Sequence, residues 1–350
     1  MTGKIAATII TGFLGSGKTT LIRNLIENAN GAKLALIVNE FGDMGFDGGI
    51  FAACNNPNCT EEDVIELTNG CICCTVADDF QPAITRILER EERPDHIIIE
   101  TSGLALPQPL VQAFNWPGIK ENVSVDGVIS VVDGPAVRDG LFASNPDDVD
   151  QQRSADEALD HAASLRELFE DQIKCADLIV ISKSDKMDSY QSGFVRMIIK
   201  DHQRDDVKII NSTLKGLAPE ILLGIDANAQ DDIHDREGHH HHHHHAEGHD
   251  HHHHDHHHHH HDHDDFKSII IKTPQFKDKS EAHAFVELIL QRKGILRVKG
   301  KVAIENAVAP YIIQAVGKRL DSYFDKPSIA NPSQLVVIGM HNADFSIPSA

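Results

Sequence analysis

Three short runs hold the residue types suited to binding a nucleotide and working on its phosphates. Gly12-Phe-Leu-Gly15-Ser16-Gly17-Lys18-Thr19-Thr20 fits the G-x-x-x-x-G-K-[S/T] phosphate-binding pattern. Gly12, Gly15 and Gly17 let backbone N–H groups curl around phosphate oxygens without Cβ clashes. A helix beginning at Lys18 adds partial positive charge. Lys18 should reach the β- and γ-phosphates, Thr19 should ligate Mg²⁺, and Ser16 and Thr20 complete the nucleotide contacts. A second run, Ile97-Ile-Ile-Glu100-Thr-Ser-Gly103, is an apolar strand ending in an acid. Glu100 would hold Mg²⁺ directly or through water, and the Gly103 N–H could sense the γ-phosphate. Lys18, Thr19 and Glu100 are therefore the candidate catalytic set. In the third run, Ser182-Lys183-Ser184-Asp185 resembles the guanine-recognition pattern N-K-x-D, with Ser182 where that pattern has Asn. Asp185 would accept hydrogen bonds from guanine N1 and N2, and Lys183 would pack over the base. Adenine specificity is the alternative. Asn211-Ser-Thr213 is a candidate to finish the base pocket.

A different chemistry is written into Gly70-Cys71-Ile72-Cys73-Cys74-Thr75. In an extended segment Cys71 and Cys73 share one side, with Cys74 at the turn. Thiolates so close repel unless a cation neutralises them, and soft sulfur suits Zn²⁺, Co²⁺ or Cu⁺. Two or three acting together would leave a position open for exchange. Packed core cysteines and a redox switch are the competing readings. Cys54 and Cys59 form a looser C-x₄-C, either an accessory metal site or unrelated thiols, and Cys175 reads as core. Six cysteines in 350 residues do not make a disulfide scaffold, which suggests a reducing cytosol. From His239 to His263, 19 of 25 residues are His. Mostly neutral imidazoles at pH 7, with interspersed Asp, would hold several metals weakly; a solvated spacer without metal function is the alternative.

The net charge of −21 argues against sequence-independent nucleic-acid binding, which needs a basic face. The acidic excess lies in the first two-thirds of the chain, whereas residues 266–350 are net basic. No run of 18 apolar residues is present, so no helix is expected to span a membrane. The apolar run Ile5 to Ile10 is too short for a secretory signal, and a cytoplasmic location is expected.

The elements that must position these groups follow from periodicity. Strands are expected at 6–11, 34–38, 64–67, 96–100, 125–132, 178–182 and 207–211, several apolar throughout, as in a parallel sheet covered on both faces. Helices are expected at 18–28, 78–91, 158–172 and 193–201. This alternation predicts a doubly wound α/β domain over residues 1–225. Residues 226–265 read as a disordered His/Asp-rich linker. Residues 266–350 read as a smaller α+β domain, with strands at 268–271, 295–298 and 335–338 and helices at 281–290 and 310–318.

With these pieces assembled, the chain resembles a CobW-type GTPase, one of the metal-handling P-loop GTPases. The resemblance rests on Thr11–Thr19, Val38-Asn-Glu-Phe-Gly42, Glu66–Cys74, Glu100–Leu104 and Ser182–Asp185. It implies GTP hydrolysis with Mg²⁺ and delivery of a transition metal to a client, with Cys71, Cys73 and Cys74 as metal ligands and Glu40 in a switch region. The runs Cys71–Phe80 and Arg93–Pro109 are similar to the cobalamin-biosynthesis branch, which implies Co²⁺ and cobaltochelatase subunits as the client. Zn²⁺ is the alternative cargo, and a nucleotide-dependent homodimer fits the same resemblance. Two readings from other classes compete. A His-rich storage or buffering protein with structural nucleotide predicts many metals and no turnover, and an ATP-dependent small-molecule kinase leaves the cysteines unexplained.

Overall fold

The computed structural model describes residues 4–39, 59–67, 79–145, 149, 164–205, 207–213, 216–236, 266–316, 319–324, 333–340 and 343–347. Cys71, Cys73, Cys74, Glu40, Cys54 and the His-rich run lie outside the described residues.

The first domain is a seven-stranded parallel sheet. Its strands are β1 (Ile5–Thr11), β2 (Leu34–Asn39), β3 (Val64–Leu67), β4 (His96–Glu100), β5 (Val123–Asp133), β6 (Leu178–Ser182) and β7 (Lys208–Asn211). Their spatial order is β3-β2-β4-β1-β5-β6-β7. Every residue of β4 and β6 is buried, because helices cover both sheet faces and leave no side for water. Helices α1 (Lys18–Glu27), α2 (Gln81–Leu88), α3 (Pro107–Ala113), α4 (Gly134–Arg138), α5 (Leu165–Cys175) and α6 (Ser189–Lys200) lie between the strands. Capping boxes start α5 at Ser164/Glu167 and α6 at Asp188/Gln191. The cap at Asp188 starts α6 four residues before the expected position. From β1 the chain runs to β2 and β3 on one side and returns through β4, then continues to β5, β6 and β7 on the other side, so a topological switch point lies at the C-terminal end of β1.

The second domain is a five-stranded sheet with the order β11-β10-β9-β12-β8. Its strands are β8 (Phe266–Lys272), β9 (Ile295–Val302), β10 (Tyr311–Val316), β11 (Arg319–Phe324) and β12 (Gln334–Met340), all paired antiparallel. A helix at Lys279–Leu290 packs Ala282, Phe285, Val286 and Ile289 onto one face of it.

Two expectations are corrected here. Residues 310–318 are not helical: Tyr311–Val316 is β10, hydrogen-bonded to β9 and β11. Short apolar runs do not separate helix from strand by period alone, and the β-branched Ile312, Ile313 and Val316 favour the pleated surface. Residues 226–236 are not part of a linker. Ala227, Ala229 and Ile233 are buried on the first domain, and Gln230 Oε1 accepts from the Val125 N–H at 2.9 Å. Arg236 is fully buried, bidentate to Asp177, and donates to the Cys175 carbonyl at 2.8 Å.

A buried polar chain lies where the two domains meet. Asp126 on β5 accepts from the Gly224 N–H at 2.6 Å, the Asp226 N–H at 2.8 Å and the Thr8 hydroxyl at 3.1 Å. Because Thr8 spends its one proton on Asp126, its oxygen must accept from His96 Nε2, 2.8 Å away. Arg297 on β9 donates to the carbonyls of Glu220 and Leu223 in the same connecting segment. Leu296, Val336 and Ile338 of the second domain pack against the core of the first.

Burial holds the His96 pKa below its ordinary value, opposed by Asp126 and reinforced by Arg297 and Lys299. The unfolded chain therefore takes up a proton at His96 before the folded chain does, so stability falls as pH drops through about 6.5. His96→Gln should flatten that part of the stability–pH curve. Urea unfolding between about pH 7.5 and 5.5 measures it, and equal slopes for the two proteins would refute it.

Candidate functional site

Strand register assembles the site. Ile10 pairs with Glu100 on one side of β1 and with Ile129 on the other, and Asp133 pairs with Ser182 across β5 and β6. Glu100, the loop after Thr11, Asp133 and Ser182 therefore stand in a row along one sheet edge. The loop Gly12–Gly17 links β1 to α1, with positive φ at Gly12 (136°), Gly15 (72°) and Gly17 (102°). A Cβ on Gly12 would lie 2.1 Å from the Val131 carbonyl oxygen, so no other residue fits there.

Lys18 opens α1 and is buried. Its Nζ donates to the carbonyls of Gly12 at 2.7 Å and Phe13 at 3.2 Å. Burial lowers its pKa, and Glu100 opposes that shift. Glu100 is buried in turn, which pushes its pKa up to about 7 against the pull of Lys18. Glu100 Oε2 and Ser16 Oγ are buried and have no hydrogen-bond partner. A lysine folded onto its own loop, a carboxylate oxygen and a hydroxyl without partners make a place that an oxyanion and a hard cation would complete. Thr19 and Thr20, one and two residues into α1, are partly exposed.

The segment after Glu100 is held against the loop. The Thr101 N–H donates to the Ile10 carbonyl and its hydroxyl to Thr11 Oγ1, both at 3.0 Å. A Cβ on Gly103 would meet the Leu14 backbone nitrogen at 2.7 Å, so the two backbones touch where only glycine allows it.

At the other end of the row, the Ser182 hydroxyl donates to the Ser16 carbonyl at 2.5 Å. The residue standing in for Asn thus ties β6 to the phosphate loop. Lys183 is left-handed, with φ 54°, and its Nζ bonds Asp133 at 2.5 Å and Ser144 at 3.0 Å. Asp185 is exposed in the turn that follows. The Ser184 N–H and hydroxyl both donate to the Ser212 carbonyl, at 3.1 and 3.0 Å, so the 211–213 segment does join this end. Asn211 itself is taken up by Arg196 on α6, 2.6 Å away.

Asp133 escaped the sequence reading. It caps α4 through the Ala136 N–H at 3.1 Å while holding Lys183. The sequence signal was an acid ending an apolar strand, the same signal that marked Glu100. The expected metal ligands Cys71, Cys73 and Cys74 lie outside the described residues, and no cluster of three metal-ligating side chains occurs among the described ones.

Comparison with known proteins shows the family. Residues 6–210 match the nucleotide-binding domain of the CobW/HypB/UreG family, and residues 266–347 match the C-terminal domain of cobalamin synthesis protein cobW. The chain belongs to this family. It is a GTPase with the family's second domain. It is 47% identical over 345 residues to a zinc chaperone CobW of Sinorhizobium sp., covering 98% of this chain and 94% of that one. A zinc chaperone CobW of Pseudomonas aeruginosa is 45% identical over 343 residues, covering 96% and 88%. Among solved structures, Zn(II)-bound YjiA GTPase from E. coli matches with a TM-score of 0.43 and 19% identity, covering 97% of this chain and 95% of that one. No helix among the described residues is long and apolar enough to cross a membrane.

Asp133→Ala removes a helix cap and a part-buried ion pair together. It should lower stability by about 1–3 kcal/mol in denaturant unfolding. Ser144→Ala, which leaves both intact, should cost less than about 1 kcal/mol. Equal losses would show that Asp133 does not organise this end of the site.

Proposed function

We propose that this GTP-hydrolysing metallochaperone carries Zn²⁺ on Cys71, Cys73 and Cys74 and passes it to a client protein when GTP is hydrolysed. One observation carries the reading. β3 runs parallel to β2 and β4, so it ends at Leu67 on the same sheet edge as Glu100 and the phosphate loop. The cysteine run begins four residues after Leu67. The chain therefore leaves β3 toward the cysteine run at the end of the sheet where Glu100 and the phosphate loop lie.

Lys18 would reach the β- and γ-phosphates, giving up the carbonyls of Gly12 and Phe13 to do so. Gly12, Gly15, Ser16, Gly17 and Thr20 would line the phosphates. Thr19 and Glu100 would hold Mg²⁺, which would neutralise phosphate charge as the bond to the γ-phosphoryl group breaks. The backbone of Gly103, already against Leu14, would meet the γ-phosphate. Lys183 would flank the base, and Asp185 would accept from guanine. Ordering of the segments after β2 and β3 by the γ-phosphate would bring the three thiolates together, and phosphate release would loosen them. A swing of ~10⁴ in metal affinity needs roughly 5.5 kcal/mol of differential binding between the nucleotide states.

The names borne by the two long relatives turn the cargo from Co²⁺ toward Zn²⁺, which thiolate and imidazole sites bind more tightly. Cobaltochelatase subunits are the client that a Co²⁺ cargo would require. Competition between Zn²⁺ and Co²⁺ for the full chain separates these cargoes. With Mg²⁺ and a non-hydrolysable GTP analogue, Zn²⁺ should win and bind more tightly than with Mg²⁺–GDP, and Cys73→Ser should abolish the difference. Equal affinity in both nucleotide states would overturn the proposal. For the base, Asp185→Ala should weaken GTP binding about 10- to 100-fold, the value of hydrogen bonds to a charged acceptor, without changing ATP binding. An equal effect on both nucleotides would remove Asp185 from base recognition.

A further inference from the structure

Gln172 lies on α5, 69 residues from the segment it touches. It is buried, with 1% of its surface exposed. Its amide Nε2 donates to the carbonyls of Gly103 and Ala105, both at 3.1 Å. The Leu104 N–H points to Ser102 Oγ at 3.4 Å. The peptide unit joining Gly103 to Leu104 is therefore held from both sides: its carbonyl by Gln172 and its N–H by Ser102. The start of the same segment is pinned to β1 through Thr101.

The helix that carries Gln172 is a firm reference. Arg204 donates to the carbonyls of Lys174 and Ala176 at 2.8 Å, and Arg236 donates to that of Cys175 at 2.8 Å. Asp177 receives both arginines and the Val128 N–H of β5. A second buried glutamine, Gln108 on α3, donates to the carbonyls of Asp171 and Arg236 at 3.2 and 3.3 Å. The C-terminal end of α5 is thereby fixed to the sheet, and its glutamine amide adds directional hydrogen bonds to a segment whose Leu104 shares an apolar cluster with Phe169 of the same helix and Phe13 of the phosphate loop.

We propose that Gln172 is a positioning residue for GTP hydrolysis. It holds residues 103–105 in the arrangement that meets the γ-phosphate, and it touches neither nucleotide nor Mg²⁺. The inference rests on Gly103 meeting the γ-phosphate. GDP lacks that phosphate, so the clamp should govern turnover and leave GDP binding alone.

Gln172→Met keeps the side chain's length and removes both N–H donors, leaving two buried carbonyls without partners. In the full chain, kcat for GTP should fall about tenfold, with GDP affinity within about twofold of wild type. Gln172→Glu, which offers the carbonyls a carboxylate when ionised, should show the same split if the Met variant folds poorly. Amide hydrogen exchange at 103–106 should slow with a non-hydrolysable GTP analogue in wild type and much less in either variant. Unchanged kcat would overturn the proposal, and so would parallel losses of kcat and GDP affinity. Gly103→Ala serves as the control. If it leaves kcat unchanged, the role of Gly103 fails and the Gln172 inference fails with it. If it slows hydrolysis while Gln172→Met does not, the Gln172 inference fails alone.

Discussion

Parallel register among β4, β1, β5 and β6 is the constraint on which the site depends. Because Ile10 stands opposite Glu100 and Asp133 opposite Ser182, four strand ends finish at one sheet edge. A one-residue slip of β4 would turn Glu100 to the other face of the sheet. The apolar strand bodies resist such a slip, being buried between two helical layers. The core thus fixes the distance from acid to phosphate loop, although no core residue takes part in the chemistry.

The charged groups at that edge are costly as they stand. Lys18 and Glu100 are both buried, and each shifts away from its charged form as burial dictates. Lys18 is solvated by loop carbonyls, and one Glu100 oxygen has no partner. A nucleotide phosphate and a hard cation would relieve both at once, so part of the stability of the site is reserved for its ligands. The other end of the row is arranged differently. There Asp133, Ser144 and Ser182 already satisfy Lys183 and tie β6 to the loop.

The second domain is joined through backbone carbonyls and apolar packing. Arg297 reaches the carbonyls of Glu220 and Leu223, and Asp126 holds the amides of Gly224 and Asp226. Both domains therefore grip the same connecting segment, one from each side. His96 reads the same seam through Thr8. This makes the joint between domains a built interface, even though most of the chain between residue 236 and β8 is polar.

What the sequence alone determined is what depends on neighbours along the chain. The phosphate loop, Glu100 through Gly103 and Ser182 through Asp185 are each contiguous, so residue type and spacing were enough to mark them as candidates. The buried parallel strands were likewise legible, because apolar runs need no partner to be recognised. Tertiary structure alone decided the rest. Asp133 meets Lys183 across 50 residues and Gln172 meets Gly103 across 69. Strand order and the sheet identity of Tyr311–Val316 depend on pairing with β9 and β11. The burial of Arg236 depends on Asp177, an acid that nothing near it in sequence singles out. A hydrogen bond between distant residues costs nothing in local propensity and leaves no local trace, so it becomes visible only when the fold brings its two ends together.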